Sequence, residues 1–162
     1  DWQHVVEAAM LVRALLDEIG LQSFVKTTGG KGLHVVAPIV PQHDWEAIKA
    51  FTCSIAEHLE RQMPQRFTAS MAKAKRGGKI FVDYLRNGAE ATAVAAYSTR
   101  ARHGAPVSVP IAWEELDGDV RADSFTVLNV RERLASQKAD PWAAYFALKQ
   151  RVSASMIKTF ER

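Results

Sequence analysis

The chain of 162 residues has one cysteine, Cys53, so an internal disulfide and any zinc cluster of several cysteines are excluded. A single thiol fits a reducing compartment. No stretch approaches the roughly 18 consecutive apolar residues of a membrane span, and the chain is expected not to engage a membrane. The opening Asp1-Trp2-Gln3-His4 has neither a basic region nor an apolar core, so no signal peptide is visible. It also has no initiator methionine, which gives the expectation that the chain is a piece of something longer. Internal repeats, low-complexity tracts and linkers are absent too, leaving one domain or most of one. With 48% hydrophobic and 24% charged residues the composition is that of a globular domain.

A net charge of +3 is too mild to argue a polyanionic partner, but its distribution is uneven. Arg61 to Val82 holds Arg61, Arg66, Lys73, Lys75, Arg76 and Lys79 with no acid among them. Ala91 to Trp113 is also acid-free and carries Arg100, Arg102 and His103. Cations segregated in this way make a face that attracts phosphates, although a solvated helix and turn would look the same.

Apolar residues at three- and four-residue spacing predict a helix over 2–19, stopped by Gly20. Strands are expected at Ser23–Thr27 and Leu33–Ile39, on either side of a Thr28–Gly32 glycine loop. A second helix follows from the Asp44 cap to about Gln62. Residues 65–76 read as a basic helix, and Lys79–Leu85, Thr92–Tyr97, Val107–Ile111 and Ser124–Leu128 as strands. Trp113–Leu116 reads as a helical turn, and Asn129–Ala135 and Pro141–Thr159 as helices. The last is opened by Asp140 as cap and Pro141 at the first position. The fold class expected is α+β, a small mixed or antiparallel sheet flanked by helices.

Three glycines within Gly29-Gly30-Lys31-Gly32 let backbone amides approach an anion, with the Thr28 hydroxyl and the Lys31 ammonium beside them. The spacing is neither a Walker A loop nor G-x-G-x-x-G, and a plain Gly-Gly hairpin is the simpler alternative. His34 lies just beyond, on the face shared with Val36 and opposite Leu33 and Val35. With Thr28 and Lys31 it could converge on one phosphate, or it could be structural. Asp83 interrupts the apolar run Ile80-Phe81-Val82-Asp83-Tyr84-Leu85. Burying a lone carboxylate costs several kcal/mol, so a divalent metal or Arg86 should accompany it. Arg100 and Arg102 share one side if their segment is extended, as phosphate clamps would, and an exposed basic loop is the equally cheap alternative. The remaining histidines lack ligand spacing, and Cys53 falls at an apolar-looking helix position expected to be core.

Three ordered motifs then combine: Thr27-Thr28-Gly29-Gly30-Lys31-Gly32-Leu33-His34, Lys79 to Asn87, and Tyr97-Ser98-Thr99-Arg100-Ala101-Arg102. Together they resemble the polymerase (primase-like) domain of bacterial DNA ligase D, in the archaeo-eukaryotic primase superfamily. The resemblance runs through almost the whole chain, and residues 1–162 look like the C-terminal part of that domain. It implies a metal-dependent nucleotidyltransferase that adds nucleoside triphosphates, ribo- or deoxyribo-, to DNA ends in non-homologous end joining. It also implies two Mn2+ or Mg2+ ions held by three aspartates, of which Asp83 matches one. Thr28, Lys31, His34 and Arg86 match nucleotide-binding positions, and Arg100 and Arg102 match an active-site R-x-R pair. The DNA-binding partner Ku, attached ligase and nuclease domains, and the bacterial cytoplasm are further implications. The family's D-x-D pair has no counterpart here, so nucleotide transfer by this chain alone is not expected. A non-catalytic module that binds nucleotides or DNA ends is the rival reading.

Overall fold

The computed structural model describes residues 1–160. In chain order the elements are α1 (Trp2–Glu18), β1 (Phe24–Thr27), β2 (Leu33–Val36), α2 (Trp45–Gln62), β3 (Phe67–Thr68), β4 (Ile80–Phe81), β5 (Pro110–Ile111), α3 (Val130–Ser136) and α4 (Ala154–Thr159). Short 3-10 turns occupy Lys73–Lys75, Leu85–Asn87 and Trp113–Asp117. No helix among the described residues is long and apolar enough to cross a membrane.

Two compact units share these elements. The first comprises Asp1–Pro38 and Val94–Leu148. Its sheet is antiparallel, in the order β2-β1-β5. Val25 faces Val35 on one side and Ile111 on the other, so these three side chains share one face. That face belongs to a core with Val6 and Ala9 of α1, Val107, Val109, Trp113 and Leu116. Leu33 and Val35 pack against the same core, as strand alternation required. The opposite face carries Lys26 directly across from His34. Asp1 caps α1 by accepting a hydrogen bond from the Gln3 amide at 3.2 Å, and Gly20 ends the helical stretch at φ +83°.

The second unit comprises Ile39–Ala93 and the segment from Lys149. Here α2 buries Phe51, Ile55 and Leu59, and Phe67 of β3 is 1% exposed. The Asp44 carboxylate caps α2 through the Ala47 amide at 2.8 Å. β3 and β4 pair in parallel, Phe67 with Ile80 and Thr68 with Phe81.

The α+β class with a small antiparallel sheet holds, while several elements are shorter than their sequence suggests. Residues 65–76 are not a helix: Glu60 accepts from the Thr68 hydroxyl at 3.0 Å and the Ala69 amide at 3.1 Å, drawing this stretch into β3. Lys79–Leu85 keeps only the two paired residues of β4, because the Asp83 carboxylate accepts from the Leu85 amide at 3.0 Å and turns the chain. Thr92–Tyr97 forms no strand; the Val94 carbonyl is taken by a lysine side chain, and Tyr97 sits at φ +63°. Val107–Ile111 retains β5 alone. Ser124–Leu128 is reduced to a single bridge, Pro106 with Thr126, since Asn129 captures the Thr126 amide at 2.7 Å. Pro141–Thr159 is helical only at α4. Asp140 does cap the Trp142 amide, but Trp142 then turns its indole N–H to the Val25 carbonyl at 3.0 Å and stacks on Tyr145.

Candidate phosphate-binding site

The glycine loop is a β-hairpin connection between β1 and β2, and it is also a place where two arginines converge. Thr28 closes the loop by donating its hydroxyl proton to the Gly32 carbonyl at 2.7 Å. Gly29 adopts φ +62°, the left-handed region that glycine enters at least cost. Its amide donates to the Ala122 carbonyl at 2.7 Å. A Cβ at Gly29 would stand 2.9 Å from the Arg100 Cγ and 3.2 Å from the Pro106 carbonyl oxygen. The glycine is therefore required for close approach as well as for φ.

Arg100 is held by both its backbone and its side chain. Its amide donates to the Pro106 carbonyl at 2.7 Å, and its guanidinium donates to the Thr28 carbonyl at 3.2 Å. The Arg102 guanidinium lies next to Gly30, 3.8 Å from an ideal Cβ position there. It has no hydrogen-bond or ion-pair partner among the described residues, and it is exposed. The expected extended geometry does not hold, because the Arg102 amide bonds back to the Arg100 carbonyl at 2.8 Å. Both guanidinium groups nevertheless reach the same loop. Lys31 is exposed on that loop, and His34 is half-buried on β2. Thr28, Lys31, His34, Arg100 and Arg102 thus all belong to the first unit.

Sequence reading missed Lys26. It is 5% exposed, and its ammonium donates to the Val94 carbonyl at 2.7 Å and to the Ser108 hydroxyl at 3.0 Å. Burial and the neighbouring Arg100 push its pKa down to about 8. The only available signal was its position two residues before Thr28, on the same side of a strand. Its partner Ser108 lies 82 residues away in sequence.

Asp83 and Arg86 belong to the second unit. The buried carboxylate expected at Asp83 is corrected: its side chain is 38% exposed, because β4 ends before it. Its companion is Arg86, whose Nε lies 3.6 Å from Oδ2. The Arg86 guanidinium also donates to the Thr92 carbonyl at 3.1 Å. Among the described residues no group of three or more histidine, cysteine, aspartate or glutamate side chains forms a metal set. One exposed carboxylate does not fit a two-ion centre. Asn87 ties this turn to α2 by donating to the Thr52 hydroxyl at 3.2 Å. Cys53 is half-buried beside Glu57 and Tyr84, not in the core. In the basic segment Arg76 stacks on Phe81, 4.2 Å from the ring centroid, and Arg66 and Lys73 are exposed.

A glycine hairpin with two guanidinium groups beside it, on an α+β scaffold, makes a cationic surface of the chemistry that phosphate-binding loops use. A family model described as the LigD primase-polymerase domain matches residues 1–142. The multifunctional non-homologous end joining protein LigD of Pseudomonas aeruginosa is 47% identical over 162 residues, covering 99% of this chain and 19% of that protein. The bifunctional non-homologous end joining protein LigD of Bacillus subtilis is 31% identical over 138 residues, or 85% of this chain and 23% of that protein. The solved polymerase domain of Mycobacterium tuberculosis Ligase D in complex with DNA superposes with a TM-score of 0.82 at 32% identity. It covers 92% of this chain and 51% of the solved one. The chain belongs to the LigD primase-polymerase domain family. It spans about a fifth of the length of these curated relatives.

Proposed function

We propose that the chain is the C-terminal, nucleotide-binding part of a DNA repair polymerase domain, one that adds ribo- or deoxyribonucleotides to DNA ends in non-homologous end joining. The observation that carries this reading is the closure of Arg100 and Arg102 on the glycine hairpin. In it, Lys31 acts as a point charge on the triphosphate and His34 as a directed donor. Arg100 and Arg102 neutralise phosphate charge. The Thr28 hydroxyl has one proton, already donated to Gly32. It therefore shapes the loop first, and reaches a phosphate only by releasing that bond. Arg86, in the second unit, is a further cation that the family resemblance gives to nucleotide binding, and the basic stretch from Arg66 to Lys79 is the part of that unit suited to DNA.

Metal-borne chemistry calls for more than this chain offers. Mn2+ or Mg2+ would activate the attacking hydroxyl and hold the leaving group. The family resemblance would make Asp83 one of the three carboxylates such ions need, and alone it would not hold them. On this chain alone the chemistry stops at binding and orienting a triphosphate. A DNA-end partner, Ku, attached ligase and nuclease domains and a cytoplasmic setting belong to the same reading of the longer protein.

Manganese-dependent extension of a labelled DNA primer with ribonucleotides tests it, using the longer natural polypeptide beside the 162-residue chain. Extension by the longer protein, its loss in Asp83→Ala with unchanged circular dichroism, and none by the chain alone are expected. A longer protein that binds nucleotide but adds none hands the reading to a non-catalytic binding module. That alternative rests on the single carboxylate described above. Normal extension by folded Asp83→Ala removes Asp83 from the site.

A further inference from the structure

Lys26 is a buried lysine with no acidic partner among the described residues. Both of its acceptors, the Val94 carbonyl and the Ser108 hydroxyl, are neutral. Ser108 passes its own proton to the Thr27 carbonyl at 2.7 Å, so its oxygen is free to accept from Lys26. Among the described residues, the elements packed around Lys26 bring no negative charge to it. β2 places His34 directly across from it, β5 places Pro110, and the charged group whose field acts on it is Arg100. An apolar side chain would fill a strand position of this kind at lower cost.

The same contacts lead to Arg100. Lys26 holds Val94 at one end of an irregular segment that leads to Arg100. The Tyr97 amide donates to the Ser108 carbonyl at 2.6 Å, and the Ser108 amide to the Ser98 carbonyl at 3.0 Å. Arg100 then closes on the Thr28 carbonyl. Lys26 and Ser108 thus anchor the segment that delivers Arg100 to the glycine loop.

We infer that Lys26 is a buried positioning cation of the phosphate site, one that fixes the Val94–Arg100 segment and gains a proton from solvent when a polyphosphate binds. This rests on the triphosphate reading above. The physical reason is charge balance. Without ligand, Lys26 and Arg100 repel each other; a polyanion between the guanidinium groups offsets both and favours the ammonium form. Thr27 and Thr28 connect Lys26 covalently to the loop, so little rearrangement is needed.

Titration calorimetry of the chain with inorganic triphosphate at pH 8, in two buffers of different ionisation enthalpy, tests this. A group half-protonated at its own pKa can gain up to about half a proton. The wild type is expected to take up a substantial part of that, whereas triphosphate itself can only release protons on meeting cations. Lys26→Met is expected to show much less uptake than the wild type and about tenfold weaker binding at pH 7, the equivalent of one pKa unit. Lys26→Arg keeps the charge but cannot titrate there, so it should bind with the same reduced uptake; this variant decides if Lys26→Met fails to fold. Uptake that persists undiminished in either folded variant overturns the inference, as does wild-type binding without uptake. Arg100→Ala separates the two layers. If it binds triphosphate as tightly as wild type, or if the wild type does not bind, the triphosphate reading itself falls.

Discussion

Replacing Gly29 with alanine should be among the most damaging single-methyl additions to this fold. Two costs combine. A non-glycine residue at φ +62° loses about 1 kcal/mol or somewhat more to the Cβ–carbonyl clash of the left-handed region. The added Cβ also stands 3.2 Å from the Pro106 carbonyl oxygen and 2.9 Å from the Arg100 Cγ. The side-chain contact can relax; the backbone contact cannot without moving the amide pair that fixes Arg100. Overpacking of this kind costs about 1–3 kcal/mol. The total is about 2–4 kcal/mol, or roughly 5–12 °C in melting temperature for a chain of this size. Gly32→Ala is the internal control, since a Cβ there meets nothing within 4 Å and its φ lies outside the left-handed region. It should be neutral or slightly stabilising, through the smaller entropy of its unfolded chain. Calorimetric melting of the two variants beside the wild type is the assay. A Gly29→Ala melting point within about 1 °C of wild type would refute the reasoning.

Two further outcomes follow from titrating groups. The folded-state pKa of Lys26 is about 8 against an ordinary 10.5, so the unfolded chain binds more protons between those values. Stability should therefore rise with pH over about 8 to 10.5, relative to Lys26→Met, when urea midpoints are compared; a falling difference contradicts the burial argument. Burial pushes the Cys53 thiol up, and the Glu57 carboxylate adds to the shift. At pH 8 Cys53 should react with a disulfide reagent more slowly than an unfolded control, and Glu57→Gln should quicken it. Equal rates in all three would show that Cys53 is not held as described.

What could be read from the sequence depended on how locally each feature is determined. Helices α1 and α2 carry their own signals, an apolar period and an aspartate cap, and both appear near the expected ends. The glycine hairpin is equally local. The run Ile80–Leu85 looked like a buried strand because apolar residues alone do not reveal how long the neighbour is. Its partner β3 has two residues, so Asp83 falls beyond the ladder and reaches solvent. Residues 141–153 have a good cap but lose their helix to long-range aromatic contacts with Phe24. Arg100 and Arg102 were identified by type and spacing, yet the reason they reach Gly29 and Gly30 is the Pro106 turn. Lys26 was illegible because its meaning depends on Ser108 and Val94, both far along the chain.

That distance bears on how the site comes into being. Hairpins close in microseconds, and β1 and β2 are joined by a short loop that lets them find each other early. Arg100 reaches Thr28 across 72 residues, and Ser108 reaches Lys26 across 82. Contacts of that span are slow to form and arrive late. A nascent chain that has already exposed the glycine hairpin must add 72 more residues before a guanidinium can close over it. On the phosphate-site reading proposed above, affinity for phosphate would belong to the finished fold rather than to the loop, and binding of inorganic triphosphate would then report complete folding.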